Sequence, residues 1–381
     1  MGNELVYFDS AASTQVHKDV LAAMVRLMQN DYGNPSSMHR QGRKAEAALR
    51  LARECVGGSM SADFKNVIFT SGGTEANNLA IFGVIDRLSH RGKHIITSAI
   101  EHSSVFEPLK KLEASGFEVT YLSPDEFGRI SLRSFADALR EDTVFASIMH
   151  VNNEIGSLNP VEQYASEIKR RKLDTILHTD AVQSFCKIPF SFASLGADLV
   201  SVSSHKLHGP MGVGALIFSD KVKLSPVLLG GGQESGRRAG TEPLPAIVGF
   251  GEAVKIAHSE AQIHSENARS LRDFAVSSIE TELPEAVIIG EGDSPYIMCL
   301  ALPGFKGEVL MNYLDGEGIC VSRGSACKKG GRSRILEAMK LNNAVIDGAI
   351  RVSFSRYNTK DEVKCFVNAL KTATRTLAKT K

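Results

Sequence analysis

The sequence lacks the features that mark membrane-spanning, secreted or nucleic-acid-binding proteins. Its 44 basic and 43 acidic residues nearly cancel, so no net charge attracts nucleic acid or a membrane surface. No apolar run approaches the roughly 20 residues of a membrane-spanning helix. Residues 1–5 carry neither the basic start nor the apolar core of a signal peptide. We therefore expect no direct nucleic-acid partner and no membrane partner.

Cysteines are few, and none is paired at metal-binding spacing. The six are scattered along the chain: Cys55, Cys186, Cys299, Cys320, Cys327 and Cys365. This distribution argues against a zinc site and against a disulfide scaffold. We expect no metal centre and a location in the reducing cytoplasm.

The 381 residues are enough for a large core and two domains. Between residues 67 and 202, short apolar runs alternate with helical patterns such as 107–115 and 161–171. The predicted strands are 67–69, 94–97, 118–122, 144–150, 176–179 and 199–202. This alternation predicts an α/β fold with a mostly parallel sheet covered by helices on both faces.

The pattern changes towards the C-terminus, after a long helical stretch that Pro243 opens and that runs to about Ser278. Predicted strands at 286–289, 296–302, 319–322 and 350–354 are interspersed with helices at 309–317, 335–341 and 360–377. We predict a smaller α+β domain here. The expected division is a large domain of residues 13–255 and a small domain of residues 1–12 and 256–381.

Lys206 lies in the stretch SSHKLHGP, between two short apolar segments. Lysine is rarely buried unless it is paired or used chemically. One such use is a Schiff base to a carbonyl cofactor, with the neighbouring Ser203 and His205 holding a phosphate. The alternative is an exposed lysine in a turn.

Other polar residues follow further apolar strands. The turn TSGGTEANN contains Gly73 and Thr74, whose backbone N–H groups suit an anion at a helix start. His102, Asn153, Asp180 and Gln183 come after the next predicted strands. A buried aspartate requires a cationic partner, and a protonated pyridine nitrogen is one. Each residue alone also fits a structural cap or turn.

Ten strings together carry a family resemblance: FDSAAST, GNPSS, TSGGTEANN, EHSSV, HVNNEIG, HTDAVQS, SSHKLHGP, GGGQESGRRAGT, RGSAC and IRVSFSRYNT. From about residue 6 to the C-terminal helix, the chain resembles the cysteine desulfurases. These belong to the aminotransferase class V branch of the fold-type I pyridoxal-phosphate enzymes. The resemblance implies a large domain with a mostly parallel, seven-stranded sheet, a smaller α+β C-terminal domain, and pyridoxal 5'-phosphate as cofactor.

The resemblance also implies roles for matching residues. Lys206 would form the Schiff base with the cofactor, Asp180 would hold the protonated ring nitrogen, and His102 would stack on the ring and handle a proton. Further cofactor contacts are implied for Asn153 and Gln183 at the phenolic oxygen and for Gly73, Thr74, Ser203 and His205 at the phosphate. Thr241 matches a residue that reaches the phosphate of the neighbouring subunit, which implies a homodimer.

The implied reaction converts L-cysteine into L-alanine. Arg351 would hold the substrate carboxylate through two parallel hydrogen bonds, and Asn34 is a second candidate for it. Cys327, in RGSAC, would take the substrate sulfur as a persulfide. The persulfide would then pass to an acceptor protein of iron–sulfur cluster assembly or tRNA thiolation.

The sequence around Cys327 is rich in cations. Lys328, Lys329, Arg332 and Arg334 could stabilise the thiolate or steer an acidic acceptor, although a solvated loop is the favoured interpretation of the run. Cys320, in an apolar strand pattern, is expected to be a core residue.

The chain departs from the family pattern at two positions and in the length of one segment. Arg323 stands where the family usually has serine, and Gln233 where it often has histidine. The segment after Cys327 is shorter than in iron–sulfur assembly members. Two alternative functions stay open. One is selenocysteine lyase or another class V reaction, and the other is a non-catalytic scaffold that binds partners.

Overall fold

The structure is a computed structural model that describes residues 5–323 and 331–379. The strands of these residues are β1 (Val6–Tyr7), β2 (Val67–Thr70), β3 (His94–Ser98), β4 (Glu118–Leu122), β5 (Thr143–Ser147), β6 (Ile176–Asp180), β7 (Leu199–Ser203), β8 (Gly214–Phe218), β9 (Val287–Ile289), β10 (Ile297–Ala301), β11 (Ile319–Cys320) and β12 (Ala349–Ser353).

The helices of the same residues are α1 (Lys18–Asn30), α2 (Arg40–Gly58), α3 (Gly73–Leu88), α4 (Ser103–Ala114), α5 (Leu132–Ala138), α6 (Val161–Arg170), α7 (Phe192–Leu195), α8 (Leu244–Ser259), α9 (Ala261–Glu282), α10 (Gly307–Gly316), α11 (Arg334–Ala338), α12 (Asn343–Asp347) and α13 (Lys360–Thr376). No helix in the described part of the chain has both the length and the apolar character needed to cross a membrane.

The largest sheet has the strand order β2-β8-β7-β6-β5-β3-β4. β8 runs antiparallel to its neighbours β2 and β7, and the other adjacent strands are parallel. Consequently β2, β7, β6, β5 and β3 point the same way, and their carboxyl ends lie along one edge of the sheet. The prediction of a mostly parallel seven-stranded sheet is confirmed.

Helices cover both faces of this sheet, which is why its strands are apolar throughout. In β3, Ile95 packs with Leu79 of α3 and Leu109 of α4, whereas its neighbour Ile96 belongs to the core cluster that contains Tyr164 of α6. Successive strand residues face opposite sides, so burial of both sides selects a continuous apolar run.

A smaller antiparallel sheet has the order β12-β10-β9, and β1 pairs with β11 in a separate two-stranded sheet. Two contacts hold the N-terminal segment against β12 and the residue after it. The Phe8 ring packs edge-on against the Phe354 ring, with 5.6 Å between ring centres, and the Phe8 carbonyl accepts a hydrogen bond from the Ser353 N–H. This segment then continues toward the large sheet and brings residues 9–12 to its edge.

The structure differs from the sequence prediction in the long helical stretch after Pro243. That stretch forms two helices, because Glu260 at their junction has φ −113° and ψ 7°, outside the helical region. The expected boundary between residues 255 and 256 falls inside α8. The division into residues 13–255 and residues 1–12 with 256–381 stays a prediction.

The glycine-rich loop before Thr241 is fixed to the sheet by a buried ion pair. Glu234 accepts hydrogen bonds from the Arg53 guanidinium at 2.6 and 2.8 Å and from the Phe69 N–H at 3.0 Å. Glu234 and Ser235 have φ values of 48° and 56°, a backbone conformation that residues other than glycine adopt at a cost in energy. The ion pair therefore holds a strained turn against β2.

We predict that Glu234→Ala destabilises the fold by about 3 kcal/mol, because the Arg53 guanidinium would remain largely buried without its counter-charge. Urea unfolding followed by far-UV circular dichroism measures this, since the chain has no tryptophan. Glu54→Ala is the matched control, on α2 next to Arg53. It removes an exposed pair with Arg50 and should change the free energy of unfolding by less than about 0.5 kcal/mol. Equal losses in the free energy of unfolding for the two variants would contradict the stabilising role of the Glu234–Arg53 pair.

Candidate active site

A cavity of about 400 Å³ lies at the carboxyl edge of the large sheet. It collects most of the predicted site residues: Gly73, Thr74, His102, Asn153, Asp180, Gln183, Ser203, His205, Lys206 and Arg351. A volume of this size suits a small-molecule cofactor together with a small substrate.

The strand ends bring these side chains together. Gly73 begins α3 after β2, and His102 is the N-cap of α4 after β3. Asp180 is the last residue of β6, and Lys206 lies in the 3₁₀ turn that follows β7. Arg351 comes from β12 of the smaller sheet, so the cavity lies between the two sheets.

Two predicted residues, Asn34 and Thr241, do not line the cavity. Asn34 is exposed, and its side-chain oxygen accepts a hydrogen bond from the Ser36 N–H at 2.9 Å. Thr241 is exposed and does not line the cavity of this chain. Cys327 lies outside the described residues. The roles implied for these three stay predictions.

The Lys206 amine is held among main-chain carbonyls. Its Nζ donates to the carbonyl oxygens of Ala11 at 2.7 Å and Ala12 at 2.6 Å. The pKa of Lys206 is lowered to about 8, chiefly by burial and next by the positive charge of Arg351. Asp9 acts in the opposite direction and raises this pKa. The neutral amine, which is the nucleophilic and basic form, is thus accessible at a much lower pH than in an ordinary lysine.

Arg351 is buried and oriented by two contacts. Its Nη2 donates to Asp9 Oδ1 at 2.7 Å, and its Nη1 donates to the Asn153 carbonyl at 2.8 Å. Its Nε is buried with no hydrogen-bond partner in the described part of the chain. The planar guanidinium of Arg351 lines the cavity and is therefore suited to bind a carboxylate.

Asp180 and His102 are each held by defined donors. Asp180 accepts the Val182 N–H at 2.9 Å on Oδ1 and the Asn77 side-chain amide at 2.7 Å on Oδ2. The His102 Nδ1 lies 2.7 Å from Ser104 Oγ, and burial is the main cause that lowers the pKa of His102. A carboxylate and a neutral imidazole therefore face the same cavity.

The start of α3 forms an anion cradle. Its N-cap, Gly72, makes no side-chain capping bond and has φ 150°, and a Cβ on Gly73 would lie only 2.8 Å from Val182 Cγ2. The N–H groups of the first turn are therefore left for an anion. Beside them, burial lowers the pKa of His205 to about 4, so His205 is neutral near pH 7.

Two buried amide oxygens of the cavity are left unsatisfied. Asn153 Oδ1 and Gln183 Oε1 have no hydrogen-bond partner among the described residues. Buried polar atoms are nearly always paired, so these oxygens point to a polar occupant. An amine, a carboxylate, an anion cradle and unsatisfied amides together fit the aldehyde, ring nitrogen, phosphate and hydroxyl of pyridoxal phosphate.

Sequence reasoning assigned no role to several residues that shape the site. Asp9 pairs with Arg351, and Asn77 and Ser104 contact Asp180 and His102. All three lie inside the matched strings FDSAAST, TSGGTEANN and EHSSV, which is the signal that could have found them.

Glu101 is a further residue without a predicted role. Its Oε1 accepts the Ser98 hydroxyl at 2.5 Å and the Met149 N–H at 2.9 Å, and burial raises its pKa to about 8. It thereby connects the segments that follow β3 and β5, from which His102 and Met149 reach the cavity.

The cations that follow Cys327 are not simply a solvated run. Arg332 makes a two-bond pair with Asp347 at 2.7 and 2.8 Å. Arg334 is partly buried, donates to the main-chain carbonyl of Glu101 and lies 3.9 Å from the centre of the Phe106 ring. The favoured interpretation as a solvated loop is wrong for Arg334.

The two departures from the family pattern make ordinary contacts. Arg323 lies 3.5 Å from Glu308 Oε2, which is exposed. The Gln233 side-chain oxygen accepts the Gly240 N–H at 3.1 Å, within the glycine-rich loop. Neither side chain lines the cavity.

We predict that Arg351→Gln raises the pKa of Lys206 in the cofactor-free protein, because it removes a positive charge that lowers this pKa. Competitive acetylation across a pH series, read by mass spectrometry of the Lys206 peptide, should give a midpoint near pH 8 for the wild type. The midpoint should be higher in the variant. Arg332→Gln, which removes a surface cation, is the control and should leave it unchanged. A lower midpoint in Arg351→Gln would contradict the electrostatic cause.

Comparison with known proteins agrees with this site. Residues 6–366 match the family model described as aminotransferase class-V. The chain is 40% identical over 369 residues to cysteine desulfurase IscS of Dictyoglomus turgidum, covering 96% of this chain and 93% of that protein. It is also 40% identical to the putative cysteine desulfurase IscS 1 of Bacillus subtilis, over 95% of this chain and 96% of that one.

Solved structures give the same result. A NifS-like protein superposes with a TM-score of 0.93 at 36% identity, covering 98% of this chain and all 100% of that chain. A structure described as SspA in complex with cysteine has a TM-score of 0.82 at 34% identity, covering 93% and 100% of the two chains. By sequence and by fold, the chain belongs to the class-V aminotransferase family.

Proposed function

We propose that this protein is a pyridoxal-phosphate-dependent cysteine desulfurase. It converts L-cysteine into L-alanine and retains the sulfur as a persulfide for an acceptor. The observation that carries this proposal is the single cavity in which Lys206, Asp180 and Arg351 meet. Relatives that match over nearly the whole chain are named cysteine desulfurase, and one structural neighbour is described as holding cysteine.

The cofactor would be held at three points. The Lys206 amine would bind its aldehyde carbon, Asp180 would accept a hydrogen bond from its ring nitrogen, and the first turn of α3 would receive its phosphate with Thr74, Ser203 and His205. Asn153 and Gln183 would contact its phenolic oxygen. When bound, pyridoxal phosphate supplies an electron-accepting ring that stabilises negative charge on the substrate carbon.

The protein groups then position the substrate and move its protons. Arg351 binds the carboxylate of L-cysteine and fixes the direction in which its Cα–H bond points. Lys206, whose pKa is lowered to about 8, takes the proton from Cα. His102 lines the same cavity, where it can donate a hydrogen bond to the bound molecule.

Cys327 completes the reaction in this proposal. Its thiolate attacks the substrate sulfur, an S–S bond forms and the carbon–sulfur bond breaks. The electron pair of that bond stays with the substrate carbon, which is protonated to give L-alanine. Support comes from the RGSAC string and from Ser322, which precedes the segment and lines the cavity.

The acceptor and the assembly belong to the same proposal. We favour an iron–sulfur cluster assembly protein as acceptor, with a tRNA-thiolation protein as the alternative. A homodimer is supported by the exposed apolar residues Leu228 and Leu229, which precede the glycine-rich loop that ends at Thr241. A cytoplasmic location agrees with the free cysteines of the described residues.

We predict that Cys327→Ala reduces alanine formation from L-cysteine to below about 1% of the wild type, because the sulfur acceptor is removed. The purified holoenzyme is incubated with L-cysteine, and alanine and sulfide are measured beside the cofactor absorption band. Cys320→Ala is the matched control: burial is the main cause that raises the pKa of Cys320, which makes its thiolate scarce, and this variant should retain activity.

Other outcomes separate the alternatives. Full activity of Cys327→Ala toward selenocysteine, without activity toward cysteine in the wild type, would favour a selenocysteine lyase. An absorption band without any alanine would overturn the substrate assignment. Absence of a band after addition of pyridoxal phosphate would favour a non-catalytic scaffold.

A further inference from the structure

A chain of hydrogen bonds connects Asp180 with His102 through two side chains of neighbouring helices. Asn77 of α3 is fully buried, and its Nδ2 donates both to Asp180 Oδ2 at 2.7 Å and to Ser104 Oγ at 2.8 Å. Ser104 of α4 is also buried, and its Oγ lies 2.7 Å from His102 Nδ1. The two ends of this chain both line the cavity.

The chemistry of the groups fixes the direction of each hydrogen bond. A carboxylate only accepts, so the side of the Asn77 amide that faces Asp180 is its NH₂ group. The second hydrogen of that NH₂ group points to Ser104 Oγ, which therefore accepts. The hydroxyl hydrogen of Ser104 is then left to be donated to His102 Nδ1.

The backbone gives independent support for the same direction. The N–H of Ser104 also donates to His102 Nδ1, at 3.2 Å, as the capping bond of α4. A backbone N–H can only donate, so Nδ1 must present a lone pair. In the neutral imidazole the proton therefore lies on Nε2.

We propose that Asn77 and Ser104 are positioning residues that fix His102 as the Nε2–H tautomer, so that His102 presents a hydrogen-bond donor to the molecule in the cavity. Nδ1 is engaged at the start of α4, which leaves Nε2 for the occupant. The inference rests on the proposed function, because it specifies how the same cavity treats its substrate and cofactor. It makes the Nε2–H group of His102 a hydrogen-bond donor at the start of the reaction.

The charges around His102 are compatible with a neutral ring. Burial has the largest influence on its pKa and lowers it, and the positive charges of Lys206 and Arg334 lower it further. Asp180 and Glu154 act in the opposite direction. With the ring neutral, the two donors at Nδ1 decide which nitrogen carries the proton.

The test is ¹⁵N NMR of the holoenzyme labelled at histidine, with the His102 signals assigned by their loss in His102→Gln. We expect the wild-type spectrum to show a protonated Nε2 and an unprotonated Nδ1. Ser104→Ala removes the hydroxyl donor at Nδ1, so the pKa of His102 should rise by roughly 0.5–1 unit, whereas the backbone N–H of residue 104 remains and should keep the proton on Nε2. Ser104→Thr retains the hydroxyl and should resemble the wild type.

Ser115→Ala is the matched control, because it removes a hydroxyl from the other end of the same helix, where Ser115 Oγ donates to the Lys111 carbonyl. It should change neither the tautomer nor the pKa of His102. A wild-type ring protonated on Nδ1 would overturn the proposal. An unchanged pKa of His102 in Ser104→Ala would overturn the role of the Ser104 hydroxyl.

These outcomes can be told apart from failure of the proposed function. The NMR signal does not require turnover, whereas alanine formation from L-cysteine tests the reaction itself. A holoenzyme that shows the Nε2–H tautomer but forms no alanine would refute the desulfurase and retain the positioning role. Alanine formation with the other tautomer would do the reverse.

Discussion

The site depends on the burial of the Lys206 amine beside a second cation, Arg351. Two positive groups in one cavity are stable only if nearby groups compensate them. The carbonyls of Ala11 and Ala12 accept from Lys206, and Asp9 pairs with Arg351. A short N-terminal segment thus holds both cations, while burial and then the charge of Arg351 keep the pKa of the lysine low.

This requirement also explains how the two sheets are joined. The Ala11 N–H donates to the Ser353 hydroxyl, so the segment that compensates Lys206 is fixed to β12. The same strand carries Arg351, whose Nη1 reaches the Asn153 carbonyl beyond the end of β5. The packing that joins the small sheet to the large one is therefore made by the groups that build the cavity, and a change in one affects the other.

Much of the fold and most of the cavity could be predicted from the sequence, because buried parallel strands leave a clear pattern. Asp180 and Lys206 each follow an apolar run, and such runs end at the same sheet edge. The carbonyls of Ala11 and Ala12 could not be predicted, since every residue carries a carbonyl. The contact between Asn77 and Ser104 depends on how α3 and α4 pack, which no local pattern encodes.

The cations that follow Cys327 in sequence also make contacts that the sequence does not predict, and these contacts change the interpretation of the site. From charge alone, Arg332 and Arg334 could stabilise the thiolate, although a solvated loop is the favoured interpretation of this run. Arg332 is paired with Asp347, and the Arg334 guanidinium is directed at the carbonyl that precedes His102. Because a cation acts most strongly on the groups closest to it, Arg334 lowers the pKa of His102. Its charge therefore helps to keep the imidazole neutral, which is the condition under which hydrogen bonds at Nδ1 can select a tautomer.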